Sequence, residues 1–599
     1  MSRRYPIEPP PEPTPQPRAP RDTVALRSAR VVAGWLVEFS LWRQRHIDLG
    51  AAVVGLVLVL VGITLTVAGM RADTYMHRGV ESGSDEPFTI QPTGDGLATN
   101  IDLRVFLGDE LPSVADALSA GGIHYVRQPV SWAEVENEQG KFDWSAYDQI
   151  VDELSRRQIT VVAVILDAPD WSRDSASLEA TDGPPVDPAM LGTFVQEFTG
   201  HFGGKVPFIQ VWDRPNVASR WGGTSASAAQ FLPYLAAAYN GARAGNPEVR
   251  IITPELAFGT GELPDRADLE FLEGLYRAGA EGFFDIVGIR LDGGTTSPDD
   301  RRVAADRHNI SRAILTRELM VRRGDGATPV WATSYGWART AETSASEQAE
   351  FVVRGLERSW VEWPWMGQMF QWSFLVPPGS SAEAYALVHA DGSATPLYRR
   401  LTSPEFQERA LRVAETGFAP MDASSMQYSG AWQDQHLEER TFRTTNQIGA
   451  EVVLPFRGTG ITAIMRIGPE SGNIIVEIDG KVVGGGAEQS SDEWDLTWTT
   501  TSDIPIELVS GLDNGDHVLS IRLAREGSLT LGGIVVERDQ PFVWPVVLLT
   551  AGSLISLFYG IRSLVMLIGR RSGVLPRAEE MVQVIDRPRS IARLEGRGT

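Results

Sequence analysis

The chain has 599 residues, a formal net charge of −23 and no cysteine. Such a length exceeds what one core serves and calls for two or three domains, while the missing cysteines exclude disulfides, thiolate catalysis and cysteine-based zinc sites. Basic residues are nearly all arginine, with lysine only at Lys141, Lys205 and Lys481, and the acidic excess repels phosphate backbones, which sets nucleic acid aside as a partner.

Residues 1–48 begin SRRYPIEPPPEPTPQPRAP, a Pro-rich tail with too little apolar surface to fold. Within it, ARVVAGWLVEFSLW at 29–42 reads as a helix lying on a membrane leaflet or as an interfacial lead-in to the next segment. From Leu49 to Met70 there are 22 residues without a charge, enough to cross the hydrocarbon layer as a helix. A cleaved signal peptide would have a shorter apolar stretch nearer the N-terminus. A second uncharged segment of 20 residues, Phe542–Ile561, precedes a tail at 562–599. Arg27, Arg30, Arg43 and Arg45 stand before the first segment and Arg562, Arg570 and Arg571 after the second. Arginine is retained on the cytoplasmic side. The expectation is therefore a two-span protein of a bacterial cell membrane with the lipid bilayer as partner, both termini cytoplasmic and the middle outside. With about +3 on residues 1–48 and about +4 on residues 562–599, the stretch between holds roughly −30.

After a linker at 71–97, residues 98–415 alternate short apolar runs with longer amphipathic stretches. Strands are expected at IDLRVFL (101–107), IHYVRQ, TVVAVIL, PFIQVW, RIIT, DIVGIR, PVWATS and GQMFQW. Helical stretches such as SAYDQIVDELSRR and SASEQAEFVVRGLERSW, with apolar residues every three to four positions, follow them. Eight such units predict an α/β domain, a (β/α)8 TIM barrel, whose functional residues sit on the loops after the strands.

Those loops carry a family resemblance. PVSWAEVENEQGKFDWSAYDQIVDEL (129–154), VILDAPDWSR, VWDRPN (211–216), ATSYGW (332–337) and FQWSF (370–374) resemble, in order and spacing, the strand-end motifs of retaining, cellulase-like (β/α)8 glycoside hydrolases. The resemblance implies a sugar cleft floored by Trp372 and shaped by Trp171. It also places the family's acid/base glutamate at Arg214 and its nucleophile at Ser334, with Asp213 where the sugar-binding Asn stands. Retaining hydrolysis needs two carboxyl groups about 5 Å apart. Arginine does not release a proton near neutral pH, and serine without an activating base is a poor nucleophile. The substitute carboxylates open to the chain are Asp167, Asp213, Glu255 and Asp292, which read as relocated catalysts, or, for Asp213, Glu255 and Asp292, as an ion-pair network with Arg214 that fills the cleft. Sugar contacts are expected from Arg127, Trp132, Trp171, Trp212, Asn216, Trp337 and Trp372, with Trp221 in the same set, because aromatic faces suit sugar rings. Each tryptophan taken alone also reads as packing.

Past ETGFAPMDASS the helical period stops, and residues 426–539 show short alternating strands with Asp-Gly and Asn-Gly turns. YSGAW, IGAEVVLPFRGTGI and LGGIVVE are similar to galactose-binding-like jelly-roll modules, so a β-sandwich of carbohydrate-binding type is expected. Trp432, Trp494 and Trp498 there read as sugar contacts or as core. The resulting expectation is a membrane-anchored glycosidase-like protein, catalytically inactive, that binds a cell-surface or extracellular glycan or organises the cell envelope. Its rivals are an active hydrolase or transglycosidase and a structural scaffold for envelope proteins. No cofactor or metal is expected.

Overall fold

The computed structural model describes residues 48–83, 96–174, 183–259, 265–437, 440–484, 492–539 and 544–571. The Pro-rich tail, the 29–42 segment and most of the C-terminal tail lie outside them. The chain divides into two units, one holding residues 1–74 with 542–599 and the other Tyr75–Pro541.

In the first unit the described residues form two helices, Asp48–His77 and Trp544–Arg571, the former running on into the second unit. Both are long and apolar enough to cross a membrane. Each extends past its expected C-terminal bound, Met70 in one case and Ile561 in the other, because no helix breaker follows. Small residues let the two backbones approach. A Cβ on Gly62 would lie 2.6 Å from Leu557, and one on Gly560 would lie 2.6 Å from Val59. Ser553 Oγ donates to the Gly62 carbonyl at 3.0 Å and also bonds the Thr66 hydroxyl. Close packing with interhelical hydrogen bonds is how apolar helices associate where burial offers no driving force.

The second unit opens with a parallel sheet of eight strands: β1 Leu97–Asn100, β2 Ile123–Ser131, β3 Thr160–Leu166, β4 Phe208–Val211, β5 Arg250–Ile252, β6 Val287–Asp292, β7 Val330–Gly336 and β8 Met366–Gln371. The ladder runs β5-β4-β3-β2-β1-β8-β7-β6. A bridge between Ile252 and Ile286, with Thr253 N donating to Ile286 O at 3.0 Å, joins β5 to β6 and closes the ring. The principal helix after each strand is α1 Leu111–Ala120, α2 Ser145–Ser155, α3 Pro188–Phe202, α4 Ala228–Gly245, α5 Asp268–Arg277, α6 Ala313–Arg322, α7 Ala345–Glu362 and α8 Pro396–Leu401. Local chemistry starts them: α4 and α7 each open on a reciprocal capping box, Ser227 with Gln230 and Ser344 with Glu347. In α2, buried Tyr147, Ile150, Val151 and Leu154 mark one face at helical spacing.

The first strand lies earlier than the sequence suggests. IDLRVFL is a loop with a 3₁₀ turn at Leu103–Phe106, because the Asp102 side chain accepts from Arg104 N and Leu103 N donates to Gln128 Oε1. The strand itself is the short LATN segment.

Inside the ring, strand alternation builds layers. Ala98, Val162, Phe208, Ile252, Ile286, Trp331 and Phe370 form one apolar plug, against which Tyr125 packs. Two residues further along their strands come Asn100, Arg127, Val164 and Gln210, so the period of two carries polar groups to the mouth.

Antiparallel sheets follow. One consists of β10 Gln427–Ser429, β13 Glu451–Gly458, β15 Asn473–Ile478, β16 Lys481–Val483, β17 Trp494–Asp495 and β19 Gly515–Leu523. The other holds β9 Gly417–Ala419, β11 Gln433–Leu437, β12 Arg440–Thr445, β14 Gly460–Ile467, β18 Ser502–Val509 and β20 Leu529–Glu537. They share one apolar core that includes Leu454, Ile474, Ile521, Leu531 and Ile534. The sheets begin at Gly417, inside the turn-rich stretch, because Gly417–Ala419 pairs with β20. Arg409 ties the junction, bonding Glu357 of α7 at 2.7 Å and Glu415 at 2.9 Å. Residues 78–83 are strapped to the barrel by Arg78 with Glu318 and Glu81 with Arg317, and Arg538 N donates to Ser82 O at 2.9 Å. The chain therefore enters and leaves this unit at adjacent points.

Candidate functional site

At the C-terminal ends of β1–β4 and β8 a cleft of about 370 Å³ is lined by Asn100, Arg127, Asp167, Asp213, Arg214 and Trp372, among others. Three of its makers have left-handed backbones: Asp167 at φ 58°, Trp212 at φ 64° and Arg214 at φ 50°. Among the described residues only Gln158 and Asp479 are other non-glycine examples. Such positions cost on the order of 1–3 kcal/mol each and persist where the surroundings fix them. Here Arg214 N donates to Glu255 O at 2.8 Å and Trp212 N to Ile165 O at 3.0 Å, which hold the turn after β4.

Asp213 is the hub of the cleft. Its Oδ1 accepts from buried Arg127 at 3.3 Å, and its Oδ2 accepts from Arg214 Nε at 3.0 Å and Arg220 Nη2 at 3.2 Å. Arg127 also donates to Gln210 Oε1 at 2.9 Å and Asn100 Oδ1 at 2.8 Å. Burial pushes the Asp213 carboxyl up, but Arg214, Arg127 and Arg220 outweigh it and the group is held below the usual carboxylate range. On the rim Arg104 forks onto Asp102 at 2.9 and 2.6 Å and reaches Glu134 at 2.8 Å.

A second network lies across the barrel. Glu255, almost wholly buried, accepts from Thr333 at 3.2 Å, from the Ser334 hydroxyl and from Arg290 Nη1 at 3.4 Å. A register shift between β6 and β7 at Ile289/Arg290 accompanies the convergence of both hydroxyls on one carboxylate. Arg290 Nε donates to Asp292 at 2.8 Å, and His308 Nε2 lies 2.7 Å from the other Asp292 oxygen. Burial raises the Asp292 carboxyl, yet His308 and Arg290 prevail and bring it down to about 2. Burial lowers the Arg290 guanidinium, but Glu255 and Asp292 hold it above its ordinary value.

The structure thus gathers Arg127, Asp167, Asp213, Arg214 and Trp372 at one cleft, and Glu255, Asp292 and Ser334 in the adjoining network. The other tryptophans turn away. Trp132 stacks on Phe194 and donates to Glu136, Trp337 donates to the Thr296 carbonyl, and Trp212 packs edge-on against Trp221 and donates to the Arg220 carbonyl. Trp171 packs edge-on against Trp132 and bonds the Glu136 carbonyl. Asn216 is spent on backbone, bonding Ala257 N and the Ala257 and Arg266 carbonyls. In the two-sheet domain Trp432 and Trp494 pack against the core and Trp498 is exposed.

Sequence reasoning passed over Asn100, Asp102, Arg104, Gln210, Arg220 and His308. Asn100 and Gln210 carried a legible signal, since a polar residue at an inward strand position has to find partners. Among the described residues no cluster of three or more His, Cys, Asp or Glu could hold a metal ion.

Chemically, Asp213, Glu255 and Asp292 are charge-paired. Asp213 and Asp292 are ionised at neutral pH, so neither is a proton donor to a departing oxygen, and Arg214 cannot take that role.

No protein-family model matches the sequence, and no curated protein matches it. Among solved structures the chain is similar to a family 39 glycoside hydrolase from Bacteroides cellulosilyticus WH2, at 15% identity over 74% of this chain and 81% of that one, with a TM-score of 0.44. It is also similar to a monomeric beta-xylosidase from Caulobacter crescentus CB15, at 14% identity over 74% and 98% with a TM-score of 0.41. A third is the GH39 enzyme from Xanthomonas axonopodis pv. citri, at 14% over 73% and 96%, again with a TM-score of 0.41. The fold is a (β/α)8 barrel followed by antiparallel sheets. At these identities and TM-scores the similarities carry nothing about what the cleft holds.

Proposed function

We propose that this is a glycosidase-like glycan-binding protein without hydrolytic activity, anchored in a bacterial cell membrane by its two apolar helices. Both termini are cytoplasmic, the barrel and a jelly-roll sandwich lie outside, and the protein displays the cleft to surface or extracellular glycan. The observation that carries the reading is the state of the carboxylates. The two positions that resemble the family's catalytic glutamates are Arg214 and Ser334, and the acidic groups beside them are neutralised by Arg127, Arg214, Arg220, Arg290 and His308. Retaining chemistry requires a carboxylic acid and a carboxylate nucleophile side by side, and this cleft offers ion pairs in their place. Trp372, half-buried at the cleft wall, supplies a flat face for a sugar ring.

The test is to screen the purified full-length protein on a glycan array and against a panel of fluorogenic glycosides. The reading predicts retention on a subset of glycans and no fluorophore release. Release that disappears in Asp167→Asn, Asp213→Asn, Glu255→Gln or Asp292→Asn would overturn it and identify the relocated catalyst.

A further inference from the structure

Resting on the glycan-binding reading, we infer that the cleft selects sugars that bear a negative charge, a carboxylate, sulfate or phosphate, and that Arg214 is the residue that reads that charge. Three guanidinia converge on the single Asp213 carboxylate. Around the whole cleft Arg104, Arg127, Arg214 and Arg220 face Asp102, Asp167 and Asp213, a concentration of arginine in a chain whose net charge is −23.

The arginines are not equivalent. Arg127 is buried and spends its nitrogens on Gln210, Asn100 and Asp213, while Arg104 is forked onto Asp102 and Glu134. Arg214 gives only Nε to Asp213, and neither Nη1 nor Nη2 hydrogen-bonds another described residue. Its side chain is 30% exposed. A guanidinium edge with two unused donors in a cleft matches a carboxylate, sulfate or phosphate bidentately. Arg214, with a left-handed φ of 50° that a long side chain seldom adopts, lines the cleft after β4, and Trp372 lines it after β8. A ring lying against Trp372 with its anionic substituent on Arg214 uses both features.

The experiment measures binding of the full-length protein to methyl β-glucuronide, methyl β-glucoside 6-sulfate, methyl β-glucoside 6-phosphate and uncharged methyl β-glucoside. At low ionic strength at least one charged probe should bind about tenfold tighter than the neutral one. That ratio should fall to near one in Arg214→Gln and to an intermediate value in Arg214→Lys, which keeps the charge and loses the fork. Which charged probe wins separates carboxylate from sulfate or phosphate sources. Should Arg214→Gln fail to fold, raising salt with the parent protein should weaken the charged probes and leave the neutral one. Equal binding of charged and neutral probes would overturn the inference and leave the glycan reading intact. A ratio unchanged in Arg214→Gln would overturn it as well. Binding of none of the probes, together with a blank glycan array, would remove the glycan reading itself.

Discussion

Replacing Asp213 by asparagine keeps the size and one acceptor of the side chain and removes the charge on which three arginines converge. Arg127 would suffer most, because its side chain is 5% exposed whereas Arg214 and Arg220 are each 30% exposed and partly screened by solvent. Removing one partner of a buried pair costs roughly 3–5 kcal/mol. The lower end, about 3 kcal/mol, applies here, since Arg127 keeps Asn100 and Gln210. With an unfolding entropy of about 2.1 cal/mol/K per residue, a cooperative unit of roughly 470 residues changes by about 1 kcal/mol per degree, so Tm should fall by about 3 °C. Differential scanning calorimetry of the full-length protein reads this directly.

The pH dependence has a definite sign. A carboxyl whose folded pKa is depressed contributes stability that is full above its unfolded value, about 3.9, and is lost as pH falls through the lower folded value. The gap between parent and Asp213→Asn should therefore hold from neutral pH to about 4 and close below that. An unchanged or raised Tm at neutral pH would refute the claim that Asp213 neutralises the cleft arginines.

Three further outcomes follow from the same physics. Added protease should remove the middle of the chain from intact cells and spare tags on both termini; digestion of either tag without lysis contradicts the two-span arrangement. Aryl glycosides should give no turnover with the parent, none of Asp167→Asn, Asp213→Asn, Glu255→Gln and Asp292→Asn should change that baseline, and Arg214→Glu combined with Ser334→Glu should raise it measurably. Because the chain has no native cysteine, Thr66→Cys with Ser553→Cys should cross-link under mild oxidation, and adding Gly62→Leu should reduce the yield, since a Cβ there collides with Leu557; equal yield in both would remove the close-packed helix pair.

The barrel's strands were legible where burial is continuous. TVVAVIL coincides with β3 because a strand covered on both faces is an unbroken apolar run. LATN was not legible, being short and half polar, and IDLRVFL drew attention by apolar content that serves a capped loop. At the site, the resemblance that sets Arg214 and Ser334 at the family's two glutamate positions could be read from motif order. Which way each tryptophan turns could not. Trp132, Trp212 and Trp337 stand at strand ends like Trp372, but each indole N–H finds a carboxylate or carbonyl in the surrounding shell and the ring packs there. The same holds for Arg220, seven residues beyond Asp213, whose return to that carboxylate depends on the path of the loop.

The central claim, that the cleft holds glycan without cutting it, is tested most directly by following one sample of full-length protein with its best array glycan, measuring bound glycan and new reducing ends together over time. Stable occupancy with no increase in reducing ends is the predicted result. A steady increase that Asp213→Asn or Glu255→Gln abolishes would contradict it.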